Sequence, residues 1–306
     1  MQSGPAAVIR RWRNASSRSV ALAALLSILT LVFARRGFAA GTQGSITVLK
    51  GAQVTVHSYL APADGLFVTS QIIETPRQIV IVDAQYTRAY AQEVLDYAKG
   101  LNKPISRVFV SHSHPDHWSG LGVFAGYPVY TLSDIRAEIV ARAARAPADG
   151  SGGNPVADIR EIATDELGKG REAIDEVAFE FESVGAAEGS AHLLLRLPQA
   201  GVTIAQDLVY NGVHLYSGQN EFDRWLAVLR KLKSTDKSAI VLAGHGKPAG
   251  PDAYDKTIAY LEDLGRFRAA AKDGEELKRK LLEKYPDYLG SRLIDISLPR
   301  LYPPGR

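Results

Sequence analysis

The chain has 306 residues, 46% hydrophobic and 23% charged, a composition that excludes a disordered or fibrous protein and suffices for one large α/β domain with appendages. Cysteine is absent, which excludes a disulfide framework, a thiolate metal ligand and a cysteine nucleophile; any metal must be held by nitrogen and oxygen. The net charge of +3 arises at the N-terminus, where residues 1–40 hold six arginines and no acid, and the slightly acidic remainder argues against a nucleic-acid partner.

That N-terminus reads as a targeting segment. Arg10, Arg11, Arg13 and Arg18 precede an apolar run from Val20 to Phe33, and small residues follow at Gly37, Ala39 and Ala40. This is the layout of a secretory signal. The run falls short of the ~20 residues of a membrane span. Residues 1–40 are therefore expected to direct export, to the periplasm or medium. Arg35 and Arg36, which oppose transfer through the bilayer, leave an uncleaved membrane anchor as the alternative.

From Gly44 the pattern turns to short strands, over Ser45–Leu49, Val54–Tyr59, and a hairpin of Leu66–Glu74 and Gln78–Val82 around Thr75-Pro76-Arg77. Asp83 ends it. Thr87 is placed to cap a helix through about Ala98, with Gly100 as its stop. Val108–Val110 is a short apolar strand, Tyr127–Leu132 another, and Ser133 is expected to cap an Ala-rich helix ending before Pro147. Residues 146–155 read as a loop or lid. Strands resume at Val177–Ser183, His192–Leu197 and Val202–Ala205. Asn220 is expected to cap a helix carrying Phe222, Trp225, Leu226, Leu229 and Leu232. Ile240–Ala243 is a strand, helices are expected near 252–271 and 275–285, and the last twenty residues look irregular. Runs of strands interleaved with helices indicate a layered α/β domain.

The chemistry concentrates in Ser111-His112-Ser113-His114-Pro115-Asp116-His117. Three of the chain's seven histidines and one carboxylate stand here, directly after an apolar strand. In an extended segment His112 and His114 point to the same side and can share one ion, while Asp116 and His117 can reach a second. Neutral imidazole and carboxylate suit Zn²⁺, Fe or Mn²⁺. Taken singly, His192 reads as a core histidine and Asp207 as a turn cap; His245, between two glycines, is harder to explain without a ligand.

The segment resembles the HxHxDH motif of the metallo-β-lactamase superfamily. The rest of that pattern recurs in order: an acid closing a strand (Asp83), a histidine opening a later one (Gly189-Ser190-Ala191-His192), an aspartate after another (Gln206-Asp207), and a last histidine in Gly244-His245-Gly246. Glu188-Gly189-Ser190 departs from the usual threonine- and glycine-rich lead-in, and Gln206 from the usual glycine. The resemblance implies an αββα four-layer sandwich over residues 41–250, with residues 251–306 as a short C-terminal helical extension. It implies that His112, His114 and His192 bind one metal, that Asp116, His117 and His245 bind a second, and that Asp207 bridges both. Asp83 would orient the ligand loop from behind.

Two Zn²⁺ ions are expected, with Fe or Mn as alternatives. They would share a hydroxide that attacks an ester, lactone or thioester, a small-molecule substrate, while Asp116 shuttles the proton. A bridging aspartate is typical of thioesterases such as hydroxyacylglutathione hydrolase and of lactonases. β-Lactam cleavage is one alternative; an iron oxidoreductase or a non-catalytic binding protein on the same fold are others. Tyr210, three residues after Asp207, is similar to the tyrosine that donates to the substrate carbonyl in acyl-homoserine lactonases. His214, Tyr216 and Trp225, and more weakly His57 and Tyr86, are further candidates for the pocket wall.

Overall fold

A computed structural model describes residues 43–144, 162–163, 167 and 170–303. The proposed targeting segment and the loop 146–155 lie outside the described residues. Two sheets carry the fold. The first has seven strands in chain order: β1 (Ser45–Lys50), β2 (Thr55–Leu60), β3 (Thr69–Glu74), β4 (Ile79–Val82), β5 (Ile105–Phe109), β6 (Val129–Tyr130) and β7 (Ile162–Ala163). β1 to β4 are joined antiparallel; β4 to β7 run parallel. The second sheet has the order β12-β11-β10-β9-β8, built from β8 (Gly170–Ile174), β9 (Val177–Val184), β10 (His192–Leu197), β11 (Val202–Asn211) and β12 (Ile240–Gly246).

Strand alternation sends successive side chains to opposite faces. Leu193, Leu195 and Leu197 of β10, with Ile204 and Leu242, join the core shared with the first sheet and with helix α1 (Arg88–Gly100). Leu194, Val241 and Ala243 turn the other way, into a second core under α4 (Phe222–Thr235), α5 (Asp252–Ala270), α6 (Gly274–Lys284) and α7 (Arg292–Leu301). Helices thus cover both sheets, the αββα arrangement. Each fully buried leucine contributes about 1.5–3 kcal/mol, so the two cores fix the order of the layers. No helix among the described residues is long and apolar enough to cross a membrane.

The two sheets are stitched together at one rim. Single bridges pair Val68 with His245 and His112 with His192, and the Thr69 hydroxyl donates to Ala243 O at 2.7 Å. These links fall among the candidate ligands, so the sandwich closes where the histidines meet.

Several local expectations differ from the structure. The tail expected to be irregular contains α7, which buries Leu293, Ile294, Ser297 and Leu301 on one face, with Pro299 in its last turn. Asn220 caps nothing: it has φ 61°, α4 starts after Glu221, and the Asn220 amide oxygen accepts from Arg268 instead. Ser133 is already the first residue of α3 (Ser133–Ala143), and Leu132 precedes it without a side-chain cap. Thr87 does cap α1, accepting from Tyr90 N. β11 runs past Ala205 to Asn211, with its register against β12 shifted on both sides of Gln206, which has φ 45°. Asp207 therefore sits in an irregular strand rather than beyond its end, and the irregularity aims its carboxylate at the rim.

Candidate metal centre

β5 delivers the histidine segment. Pro115 opens the short helix α2 (Pro115–Trp118), where its missing N–H costs nothing, and this turn brings Asp116 and His117 round behind His112 and His114. β10 brings His192 beside His112, β11 brings Asp207, and β12 brings His245.

Asp83 organises the loop. Its buried carboxylate accepts from Ser111 N (2.8 Å), Ser111 Oγ (2.7 Å) and His117 Nδ1 (2.7 Å), and from the Gln206 amide. Ser111 Oγ, donating to Asp83, accepts in turn from His112 Nδ1 at 2.9 Å. His245 Nδ1 donates to Leu66 O at 2.7 Å. With each Nδ1 serving as a donor, the Nε2 atoms of His112, His117 and His245 face inward, the ring orientation a metal ligand needs. Gln206, noted in the sequence only as an oddity, closes this layer, since it also accepts from the Gln71 amide at 3.2 Å.

Asp207 lies between the two groups of histidines. Its oxygens are 3.6 Å from His112 Nε2, 3.0 Å from His117 Nε2 and 3.3 Å from His245 Nε2. Asp116 Oδ2 is 3.3 Å from His245 Nε2 and 3.9 Å from His117 Nε2. The ring of His112 is 5.0 Å from those of His114 and His192 and 4.3 Å from that of His117. All seven expected ligands are therefore gathered at one place. His192 is turned differently: its Nε2 accepts from Gly189 N at 2.9 Å, and its buried Nδ1 has no partner among the described residues.

One residue of the centre went unrecognised in the sequence. Glu188 is wholly buried beside the ligands, with Oε1 2.9 Å from His114 Nδ1. A carboxylate four residues before the third histidine was the available signal.

Charge in this dry pocket is strongly coupled. Burial alone would depress the His117 and His245 imidazoles, but the carboxylates of Asp207, Asp83 and Asp116 outweigh it for His117, and Asp207 and Asp116 raise His245 to about 10. Burial pushes His192 well down and His114 to about 4. Against burial, His117 and His245 hold the Asp207 carboxyl well below its usual range. Four carboxylates (Asp83, Asp116, Glu188 and Asp207) and five imidazoles gathered in one pocket call for added positive charge. His112, His117 and His245 Nε2, Asp207 Oδ1 and both Glu188 oxygens are buried with no aligned hydrogen-bond partner among the described residues. That convergence of bare donors fits divalent cations of the zinc, iron or manganese type.

A cleft of about 240 Å³ opens onto the centre, lined by His114, Asp116, Glu188 and Asp207 and walled by Tyr86, Arg142, Tyr216, Leu293, Ile296 and Arg300. Helix α7 thus supplies one wall. Tyr216 meets the His114 ring edge-on at 5.1 Å. The other pocket candidates point elsewhere: His214 bonds to Tyr260, Trp225 donates to Leu208 O, and His57 bonds to Tyr97 and Glu74. Tyr210, expected to meet the substrate, instead donates to Asp207 Oδ2 at 2.8 Å and is 2% exposed. A larger hollow between β9, β10 and α4 is occupied by matched charges, Glu182 with Arg196 and Lys231, and lies away from the histidines.

Comparison with known proteins agrees with this geometry. Among solved structures, a metallo-β-lactamase from Pontibacter korlensis aligns with TM-score 0.56 at 18% identity, over 71% of this chain and 99% of that one. FIM-1 of Pseudomonas aeruginosa, in a mono-zinc form, aligns with TM-score 0.55 at 16% identity, over 72% and 96%. At such identities the likeness shows the fold. Among curated proteins, none matches in sequence. The family model of the metallo-β-lactamase superfamily matches residues 63–245, more than half of the chain and all seven candidate ligands, and the protein belongs to that superfamily.

Proposed function

We propose that the protein is a binuclear metal-dependent hydrolase of esters, lactones or thioesters bearing an anionic group. The observation that carries this reading is the position of Asp207, whose carboxylate stands within 3.0–3.6 Å of histidines from both groups. His112, His114 and His192 would hold one ion, Asp116, His117 and His245 the other, and Asp207 both. Zinc is the expected metal, with iron or manganese compatible with the same donors. Such ions supply a water ionised near neutral pH and polarise the carbonyl under attack.

The chain's own residues do the rest. Asp116 is the ligand with most access to the cleft, its side chain 14% exposed, so it can take the proton of the attacking water and hand it to the leaving group. Tyr216 and His114 form the floor beside it. Leu66, Leu293 and Ile296 offer an acyl chain an apolar wall, and Arg142 and Arg300 offer an acidic end group a counter-charge.

Purified protein should contain two metal ions per chain and turn over members of an ester, lactone and thioester panel. His114→Ala and Asp207→Ala should each abolish turnover while the fold is kept. Wild-type rates in either variant would refute the reading. Oxygen uptake by an iron-loaded protein, with no hydrolysis, would replace it with an oxidoreductase.

A further inference from the structure

Glu188 has no part in the ligand set described so far, yet it occupies the middle of one half of it. It sits in a tight turn in which Ala187 N donates to Gly189 O at 2.8 Å and Gly189 N reaches His192. A Cβ at Gly189 would meet His192 Nε2 at 3.3 Å, so the turn presses directly on the ligand layer. The Glu188 side chain is 0% exposed, and neither oxygen has a hydrogen-bond partner among the described residues. A carboxylate in that condition is costly unless a cation or a proton neutralises it.

The distances favour a cation. Oε1 is 2.9 Å from His114 Nδ1, and Oε2 is 3.8 Å from His112 Nε2 and 4.0 Å from His192 Nε2. Donors bound at ~2.1 Å to a single ion stand roughly 3–4 Å apart. The ligand atoms of His112, His114, Glu188 and Asp207 all lie within 4.8 Å of one another.

We propose that Glu188 is a direct ligand of the first metal, joining His112, His114 and Asp207, with His192 entering by a turn of its ring that frees Nε2 from Gly189 N. The proposal rests on the binuclear reading above. It raises that site to five protein donors, two of them carboxylates. Such a set is harder than three imidazoles with Asp207 alone and suits five- or six-coordinate ions, so manganese and iron should compete with zinc there better than they would without Glu188.

The test uses the full chain loaded with cobalt(II) as a spectroscopic probe and with zinc for affinity, in the wild type and in Glu188→Gln and Glu188→Ala. The wild type should bind two ions and show the weak visible absorption of a five- or six-coordinate cobalt site. Both variants should lose the Glu188 carboxylate from the first site and gain visible intensity over the wild type as that site's coordination number falls. One of the two zinc affinities should fall by about 100-fold or more in chelator competition, beyond what loss of a supporting residue ordinarily costs. An unchanged spectrum, whether or not affinity drops, would overturn direct ligation. The isosteric glutamine variant keeps the test available should alanine fail to fold. A wild type that binds fewer than two metals would instead defeat the binuclear reading itself.

Discussion

The Tyr210 hydroxyl donates a 2.8 Å hydrogen bond to Asp207 Oδ2 while its ring lies parallel to that of His245, 4.8 Å away and 2° from coplanar. One side chain thus braces two candidate ligands from behind. Burial and the Asp207 charge hold the phenol well above its ordinary pKa, so it stays a donor throughout the working range. Tyr210→Phe should keep the ring and lose the bond. We expect KM to hold, kcat to fall by roughly 3–10-fold and metal affinity to fall by about 10-fold, as for residues that orient ligands. A rise in KM with metal affinity intact would place Tyr210 against the substrate after all.

The contrast shows what the sequence could reveal. His112, His114 and Asp116–His117 were legible because their spacing is short, and His192, Asp207 and His245 because strands precede or follow them in a recurring order. Helix α1 was legible from Thr87 and its apolar face. Tyr210 was placed near the site but not oriented, because the shifted register around Gln206 decides which way it points, and only pairing with β12 creates that shift. Glu188 was missed because its role depends on a turn folding onto His114. Helix α7 was missed because its one-sided apolar pattern becomes meaningful only against α6 and the cleft.

Gly244 shows how closely β11 and β12 pack behind the candidate metal centre. A Cβ there would lie 1.7 Å from Asp207 Oδ1 and 2.8 Å from Asp207 N. The carboxylate would have to leave its position or the strands would have to part. Overpacking of this kind typically costs about 1–3 kcal/mol, and here it acts on the Asp207 carboxylate. Gly244→Ala should lower the thermal midpoint and leave the protein with less than its full metal content. Unchanged metal content and midpoint would mean that the strands separate freely, contrary to the packing described.

Arg142 and Arg300 approach the same cleft from α3 and α7. If they read an acidic group on the substrate, Arg142→Ala and Arg300→Ala should each raise KM for a carboxylate-bearing ester by about 5–10-fold. Neutral esters should be nearly unaffected. Because Arg300 is solvent-exposed, its share should shrink as salt rises toward 1 M, where the screening length falls to ~3 Å. Equal losses for charged and neutral substrates would assign both residues to the architecture of the wall.

His214 provides a pH signature separate from catalysis. It is buried under α5, with Nδ1 2.9 Å from the Tyr260 hydroxyl, and its Nε2 lacks a partner among the described residues. Burial lowers its pKa from 6.5 to about 4. The folded protein therefore keeps the ring neutral, while the unfolded chain protonates it near 6.5. Between these values the unfolded state holds more protons, so stability from this site is complete above the unfolded pKa. It is lost as pH falls toward the folded one, by roughly 3 kcal/mol in total. His114, also lowered by burial to about 4, takes up its proton in the same window, so the useful quantity is a difference. His214→Asn, compared with wild type at equal zinc loading, should lose less stability in urea between pH 6.5 and pH 4. Its amide can still meet Tyr260 but carries no charge to gain. Parallel stability curves for the two proteins would show that the acid sensitivity originates elsewhere.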